Sequence, residues 1–221
     1  MRRQRPRRGG AHLHGGFTLV EVLVALVVMA IMAVMAWQGV DGIVRTRNAS
    51  QARLESALRL NTVIAQWDQD LASLQDNLGV PDAIDCNGAS VRILRRTPDG
   101  LQLVVWTLRP ADDNTSNWER WASPAVTNGG ELKEFWLLSQ QLQGSEPASL
   151  RALTGLSSWK VYFYQSGAWA NCQSTSDQGS TPANGTTPSR PLPPDGVRIV
   201  LSFAPGSGTN GDLTRDTLLK R

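Results

Sequence analysis

The sequence of 221 residues predicts an α+β fold, in which a long N-terminal helix packs on a mostly antiparallel β-sheet. Three observations predict it. An apolar run fills residues 17–37, and an amphipathic pattern without proline continues it to Leu78. Beyond Pro81, short runs rich in β-branched and aromatic residues alternate with turn sequences.

Residues 1–16 form a basic N-terminal tail. Five arginines account for the positive charge of the chain, since without them 17 basic residues face 19 acidic ones; they are Arg2, Arg3, Arg5, Arg7 and Arg8. Positive residues that flank an apolar segment stay on the cytoplasmic side of a membrane. The rest of the chain has no basic stripe, so we expect no nucleic-acid partner.

Residues 17–38 have the length and composition of a transmembrane helix. About 20 helical residues at about 1.5 Å each match the hydrocarbon core of roughly 30 Å. Glu21 is the only charged residue in this segment. A carboxylate in hydrocarbon is costly, and such residues face a partner or serve a function.

Residues 39–80 predict the amphipathic half of the helix, which packs on the globular domain. Apolar residues recur at spacings of three and four along one stripe: Leu60, Ile64, Trp67, Leu71, Leu74 and Leu78. Gly79 and Pro81 then provide the signal that ends a helix.

Residues 81–221 predict a β-rich globular domain. The turn sequence TPDG lies inside a β-hairpin at 90–109, and further strands are expected at 130–140, 157–169, 196–205 and the C-terminal LTRDTLLKR. Residues 109–121 are interpreted as a polar insertion. Residues 173–195, rich in Ser, Thr, Pro and Gly, predict a flexible loop.

Histidine content limits the chemistry that the protein can perform. The chain has two histidines, His12 and His14, and both precede the apolar run. If the N-terminal tail is removed, the remaining protein lacks the imidazole that Ser-His and Cys-His nucleophiles and histidine zinc sites require. We therefore expect no enzyme, no cofactor and no metal site.

The two cysteines, Cys86 and Cys172, each lie in a polar, loop-like context. In an oxidising compartment they can form one disulfide. The alternative is two unrelated free thiols.

The stretch GFTLVEVLVALVVMAIMAVMAW, residues 16–37, resembles the prepilin-type N-terminus of type IV pilins and type II secretion pseudopilins. That family has a glycine, then Phe-Thr-Leu, an apolar residue, a glutamate and a long apolar helix. The resemblance implies a pilin-like fold and a leader, residues 1–16, that a prepilin peptidase removes between Gly16 and Phe17. It also implies N-methylation of Phe17 and pairing of Glu21 with the new N-terminal amine of a neighbouring subunit in a filament.

The sequence WQGVDGIVRTR, directly after the apolar run, is similar to that of the J subunit among minor pseudopilins of the type II secretion system. The segments GELKEFWLL, as a middle strand, and LPPDGVRIVLSF follow the order of that subunit. The resemblance implies an inner-membrane protein that spans the membrane once and places its C-terminal domain in the periplasm. Implied partners are the I, K and H minor pseudopilins and the major pseudopilin, with secreted substrates as a further candidate.

Three alternatives remain open from the sequence. A minor pilin of a type IV pilus shares the same N-terminus but serves filament initiation, adhesion or DNA uptake. A secretory signal cut after Ala36 would release an ordinary secreted protein. A periplasmic enzyme could be tethered by an uncleaved anchor.

Overall fold

The computed structural model describes residues 16–76, 82–112, 114–176, 192–209 and 211–219. Helix α1 spans Leu19–Ala72, and eight strands and two short helices follow it in the described residues. In chain order these are β1 (Ile84–Cys86), β2 (Ser90–Thr97), β3 (Gly100–Pro110), β4 (Ser116–Ala122), α2 (Gly129–Ser139), β5 (Ser149–Gln165), β6 (Ala168–Asn171), α3 (Cys172–Ser176), β7 (Gly196–Phe203) and β8 (Asp212–Leu218). The predicted α+β fold class is confirmed.

The chain divides into two compact units, Met1–Ala52 and Arg53–Arg221, and α1 contributes to both. In the first unit, every described residue from Gly16 to Val40 is exposed. A helix suits such a segment because its backbone hydrogen bonds are satisfied within the segment, whatever surrounds its side chains. Asp41 and Arg45, one turn apart, form an ion pair of 2.7 Å where the charged residues resume.

In the second unit, the amphipathic stripe of α1 faces the sheet, as the sequence predicts. Trp67 and Leu71 are fully buried, and Leu60 and Ile64 pack against the same core. The helix ends at Ala72, earlier than the predicted end at Leu78. Leu78, Gly79 and Pro81 lie outside the described residues.

One antiparallel sheet contains all the described strands, in the order β1-β2-β3-β4-β5-β7-β8, while β6 pairs with β5. The hairpin predicted at 90–109 is confirmed as β2 and β3, which turn where Thr97 pairs with Gly100. Gly100 has φ +138, and a Cβ there would lie 2.5 Å from the carbonyl oxygen of Val126. Glycine is therefore required at this turn.

The strand predicted at 130–140 is wrong, because this segment is helix α2. Asn128 caps it, since its side chain accepts a hydrogen bond of 2.8 Å from the backbone N–H of Gly130. Leu132, Phe135 and Trp136 follow the spacing of three and four that a helix needs to bury one face.

The interpretation of 109–121 as a polar insertion is also wrong, because β4 occupies its second half and lies at the centre of the sheet. The predicted strand at 157–169 is part of a longer β5 and of β6, which are joined by a tight turn at Ser166 and Gly167. The last two predicted strands are confirmed as β7 and β8.

The sheet has a hydrophobic core on each face. On the face that packs against α1, four tryptophan rings are in contact, and the centroids of neighbouring rings lie 4.3 to 6.1 Å apart. They are Trp67 of α1, Trp106 of β3, Trp118 of β4 and Trp159 of β5. On the opposite face, α2 packs on Leu94, Leu103 and Val105. Both sides of the central strands are therefore buried.

Asp70 of α1 lies inside the first core with no exposed surface. Its carboxylate accepts hydrogen bonds from Arg95 at 2.7 Å, from Trp106 Nε1 at 2.9 Å and from Gln66 at 2.9 Å. Arg120 donates two more, at 2.8 and 2.9 Å. A buried charge is tolerated when it is paired and hydrogen-bonded in this way.

Asp68, two residues before Asp70, faces the other flank of the sheet. It accepts hydrogen bonds from Arg215 Nη2 at 2.6 Å and from Thr217 Oγ1 at 2.7 Å, both on β8. The end of α1 is thus hydrogen-bonded to β2, β3 and β4 on one side and to β8 on the other.

Candidate functional site

The N-terminal segment places the residues of the predicted processing site just ahead of the helix. Gly16 and Phe17 precede α1, which begins at Leu19, and Phe17 is 82% exposed. A Cβ added at Gly16 would meet no atom within 4 Å. The remaining residues of the predicted leader, 1–15, lie outside the described residues.

Thr18 occupies the N-cap position of α1. Its Oγ1 lies 3.4 Å from the backbone nitrogen of Glu21, and its carbonyl oxygen accepts the hydrogen bond of that nitrogen at 3.1 Å. Thr18 and Glu21 have the Ser/Thr-x-x-Glu spacing of a capping box, which satisfies backbone N–H groups at a helix start. Sequence reasoning missed the role of Thr18, although this spacing was the signal that could have revealed it.

Glu21 lies in the first turn of α1, where an acidic side chain interacts favourably with the positive end of the helix dipole. The side chain is exposed and makes no ion pair within the part of the chain that the structure describes. Glu21 is also the only charged residue between Phe17 and Val40. This carboxylate is therefore available to a partner outside its own chain.

The apolar half of α1 has the properties of a membrane anchor. An 18-residue window of this helix has a mean hydropathy of 2.8, and none of the window is buried. An exposed surface of this size would be unfavourable in water, at about 25 cal/mol per Å² of apolar area. The helix is compatible with a single membrane anchor near the N-terminus.

Cys86 and Cys172 are joined by a disulfide in the structure, with their Cα atoms 5.8 Å apart. The sequence placed both in loop-like contexts, and that interpretation is wrong. Cys86 ends β1 and Cys172 begins α3, and both are almost completely buried, at 2% and 1% exposure. The bond connects the outermost strand at one edge of the sheet to the segment that follows β6.

Side chains of α3 and β5 also donate hydrogen bonds to the turn that follows β1. Gln173 Nε2 donates to the carbonyl oxygen of Asn87 at 2.9 Å, and Trp159 Nε1 donates to that of Gly88 at 3.0 Å. Gly88 has φ +83, and a Cβ there would lie 2.5 Å from the Gln173 amide. Of the predicted loop 173–195, residues 177–191 lie outside the described residues.

A comparison with known protein families matches the N-terminal segment of the chain. Residues 12–37 match the family described as the prokaryotic N-terminal methylation motif. Comparison with curated proteins gave no match to the chain. The matched residues include Gly16, Phe17, Thr18 and Glu21, whose geometry is described above. Residues 12–37 of the chain therefore carry the N-terminal methylation motif of prokaryotic prepilin-type proteins, which is type IV pilin-like.

Proposed function

We propose that the protein is a prepilin-type subunit that is cut between Gly16 and Phe17, N-methylated at Phe17, and assembled with other subunits through its apolar helix. The observation that carries this proposal is the combination of an exposed apolar helix with a carboxylate, Glu21, that makes no ion pair with the described residues of its own chain. Such a helix needs a lipid or protein environment, and such a carboxylate needs a positive partner.

Cleavage at this position would create that partner. The new amine of Phe17 is a cation, and Glu21 follows it by four residues, one turn of a helix. Within one subunit the cap contact of Thr18 uses the backbone nitrogen of Glu21, and the exposed Glu21 carboxylate can pair with the amine of a neighbouring subunit. Paired and hydrogen-bonded, the two charges become compatible with an apolar filament core, and their pairing defines the register between subunits.

At a finer level, we assign the protein to the minor pseudopilins of the type II secretion system, as a J-like subunit. The similarity of residues 37–47 to that subunit supports this assignment. The helical 130–140 segment does not support it, because the resemblance implied a strand there. The partners on this assignment are the I, K and H minor pseudopilins and the major pseudopilin, at the tip of a short filament that supports export of folded proteins.

The same assignment places the protein in the bacterial inner membrane with its C-terminal domain in the periplasm, without enzymatic activity. The disulfide supports this location because disulfides persist in oxidising compartments such as the periplasm. A minor pilin of a type IV pilus is the second candidate. It is favoured equally by the N-terminal motif, since the match covers only residues 12–37.

N-terminal sequencing of the mature protein, purified from its native membrane, tests the processing step. We expect N-methyl-phenylalanine corresponding to Phe17. A chain that begins at Trp37 would instead indicate an ordinary secretory signal, and a chain that keeps residues 1–16 would indicate no cleavage; either result overturns the proposal.

A deletion strain separates the two candidate systems. If the protein is a minor pseudopilin, the strain loses extracellular export of folded proteins and keeps its surface pili, and the wild-type gene restores export. Loss of pili with normal export would assign the protein to a type IV pilus. A processed chain with neither defect would remove both assignments while leaving the processing step intact.

A further inference from the structure

Strand β8, Asp212–Leu218, forms one edge of the sheet and is the longer of the two edge strands. The opposite edge strand, β1, has three residues, and the disulfide joins its last residue, Cys86, to α3. Within the described residues, β8 pairs with β7 on one side and with no strand on the other. A strand at such an edge presents backbone N–H and C=O groups to other polypeptide chains.

The hydrogen-bond phase of the β7–β8 ladder shows which backbone groups of β8 face outward. The N–H of Phe203 donates to the carbonyl oxygen of Gly211 at 3.2 Å, and that of Leu219 donates to Asp195 at 2.9 Å. Because alternate residues of an antiparallel pair bond to the same neighbour, the odd-numbered residues of β8 bond to β7. The even-numbered residues direct their N–H and C=O groups outward, where no described residue pairs with them; they are Asp212, Thr214, Asp216 and Leu218.

Charged side chains commonly protect an edge strand from other chains, but two of the three charges on β8 are paired inside the subunit. Arg215 Nη2 lies 2.6 Å from Asp68 Oδ2 of α1. On the other face, Asp216 accepts two hydrogen bonds of 2.6 Å from Nε and Nη2 of Arg198 on β7. Asp212 is exposed and makes no ion pair within the described residues. An incoming strand therefore meets one uncompensated charge on β8, which is negative.

The other end of β8 is apolar, because Leu218 is 77% exposed. A Cβ added at Gly196 of β7 would lie 3.5 Å from Leu218 Cδ2 and 3.6 Å from Trp169 Cη2, so these two side chains lie close together over the glycine. An apolar side chain opposite Leu218 would extend this small patch and remove part of it from water. The edge thus has an acidic end, an apolar end and unpaired backbone groups between them.

A second copy of the chain does not complement this pattern. About a two-fold axis, β8 of one copy would pair antiparallel with β8 of the other. In the register that joins all of β8, Asp212 faces Leu218, and Arg215 faces Arg215 of the copy. The neighbouring registers place Asp212 opposite Asp216 or beyond the end of β8. No residue of β8 gives Asp212 a positive partner in these registers, and like charges directly opposite are unfavourable.

We infer that β8 binds an extended segment of a different polypeptide, which adds antiparallel to the sheet as a further strand. The backbone of the segment pairs with the outward groups of β8, an apolar residue lies opposite Leu218, and a lysine or arginine lies opposite Asp212. The inference concerns the globular unit alone and does not depend on N-terminal processing or on assignment to a secretion system.

The experiment measures fluorescence anisotropy with the full chain in detergent and the peptide Val-Thr-Thr-Gln-Thr-Thr-Lys-amide, which carries a fluorophore at its N-terminus. In the antiparallel alignment its valine faces Leu218, its fifth residue faces Thr214 and its lysine faces Asp212. N-methylation of the third and fifth residues blocks N–H groups that point toward β8, whereas N-methylation of the fourth and sixth blocks groups that point away. We expect the first modification to weaken binding about tenfold or more and the second to change it by less than about twofold.

Thr214→Pro removes one outward N–H and none of the hydrogen bonds to β7, and an edge strand tolerates proline at such a position. It should weaken binding of the unmodified peptide about tenfold, whereas Thr214→Ala should bind as the wild type does. The wild type should prefer this peptide about threefold over one that ends in glutamate, and Asp212→Lys should reverse the preference. Unchanged melting temperatures verify that the variants are folded.

The inference is overturned if the peptide does not bind at millimolar concentration, or if the two N-methylated peptides bind equally well. It is also overturned if Thr214→Pro binds as tightly as Thr214→Ala, or if Asp212→Lys keeps the preference of the wild type.

A spin label at Thr214→Cys tests whether a second copy is the partner. We expect no dipolar coupling between copies of the full chain in detergent at this position. Coupling at Thr214→Cys that is absent with the same label at Arg53→Cys, on α1, would show that two copies pair through β8. That result would contradict the choice of a different polypeptide as the partner.

Discussion

Asp70 of α1 and Arg120 of β4 are joined by two parallel hydrogen bonds, from Nε to Oδ2 at 2.8 Å and from Nη2 to Oδ1 at 2.9 Å. Both residues are buried or nearly so, and β4 is the central strand of the sheet. This fork-to-fork pair fixes the rotation and the axial position of the helix relative to the strand, which an apolar contact alone would leave less defined.

Asp70→Asn should destabilise the second unit strongly. The substitution removes the negative charge and leaves the guanidinium groups of Arg95 and Arg120 inside the core without a counter-ion. Breaking a buried pair from one side costs about 3–5 kcal/mol of the free energy of unfolding. Urea denaturation of the full chain in detergent, followed by tryptophan fluorescence, measures the change.

Asp68→Asn is the matched control, two residues away on the same helix. Its partner, Arg215, is 48% exposed at the side chain, so the loss should be about 1 kcal/mol or less. Equal effects of the two substitutions would contradict the role assigned to the buried pair.

Gly16→Ala should block processing without changing the described structure. An added Cβ at Gly16 meets no atom within 4 Å, so the substitution places no strain on the chain itself. If the substitution blocks maturation, the cause would therefore be poor recognition of the altered site by the peptidase. We expect mass spectrometry to find the leader still attached, and mature protein of normal length would refute this prediction.

Glu21→Gln and Glu21→Ala separate the two roles of this residue. Glutamine has a side chain that can complete a capping box with Thr18, alanine does not, and neither carries a charge. If the charge is needed for assembly, both variants should be processed but fail to co-purify with neighbouring subunits after crosslinking. Assembly of the glutamine variant alone would assign Glu21 to the helix cap.

Reduction of the disulfide should destabilise the globular unit. The bond closes a loop with a sequence separation of 86 residues, which in the chain-entropy model contributes about 4–5 kcal/mol. The double variant Cys86→Ser/Cys172→Ser should match the reduced wild type in urea denaturation. Identical mobility of the wild type on reducing and non-reducing gels would show that the bond does not form.

Glu146, which accepts hydrogen bonds from the backbone N–H groups of Gln143 and Gly144, should make the stability of the loop between α2 and β5 sensitive to pH. Partial burial tends to raise the pKa of Glu146, but backbone N–H groups at Gln143 and Gly144 and the charge of Arg109 outweigh it, and the pKa is lowered. A lowered pKa stabilises the fold above the ordinary pKa of glutamate and loses that contribution as pH falls through the folded value.

Glu146→Gln should therefore be less stable than the wild type at neutral pH, and the difference should shrink as the pH falls below about 4. Thermal unfolding across this range measures it. Glu134→Gln, on the exposed side of α2, controls for the loss of one negative charge. A difference that stays constant down to the lowest pH would contradict the proposed contacts.

The hairpin of β2 and β3 could be predicted because its signals are local. The turn residues TPDG and the apolar runs on both sides are contiguous in sequence, and the structure joins them in the same order. The stripe on α1 could be predicted for the same reason. In each case a periodic pattern states directly which face is buried.

Strand β4 could not be predicted in this way, because two adjacent residues near its middle, Glu119 and Arg120, are charged. They are tolerated at the centre of the sheet because Arg109 and Asp70 neutralise them, and those partners come from β3 and α1. Because these partners lie on other elements, the sequence pattern of β4 alone does not reveal the ion pairs.

Helix α2 was mistaken for a strand for a different reason. Its apolar residues form a short run around Phe135 and Trp136, in which strand and helix periods are difficult to distinguish. The side-chain cap at Asn128, followed by two glycines, was the local signal for a helix start. At the N-terminus, the motif indicated Glu21 but not the contribution of Thr18 to the same helix turn.

The two aspartates at the end of α1 have a mechanical consequence. Tension applied along this helix reaches β8 through Asp68 and the central strands through Asp70 at nearly the same point of the chain. The load is shared across the width of the sheet, so unfolding requires several strands to shear together. A subunit pulled by its N-terminal end should therefore resist extraction far better than one in which a single edge strand bears the force.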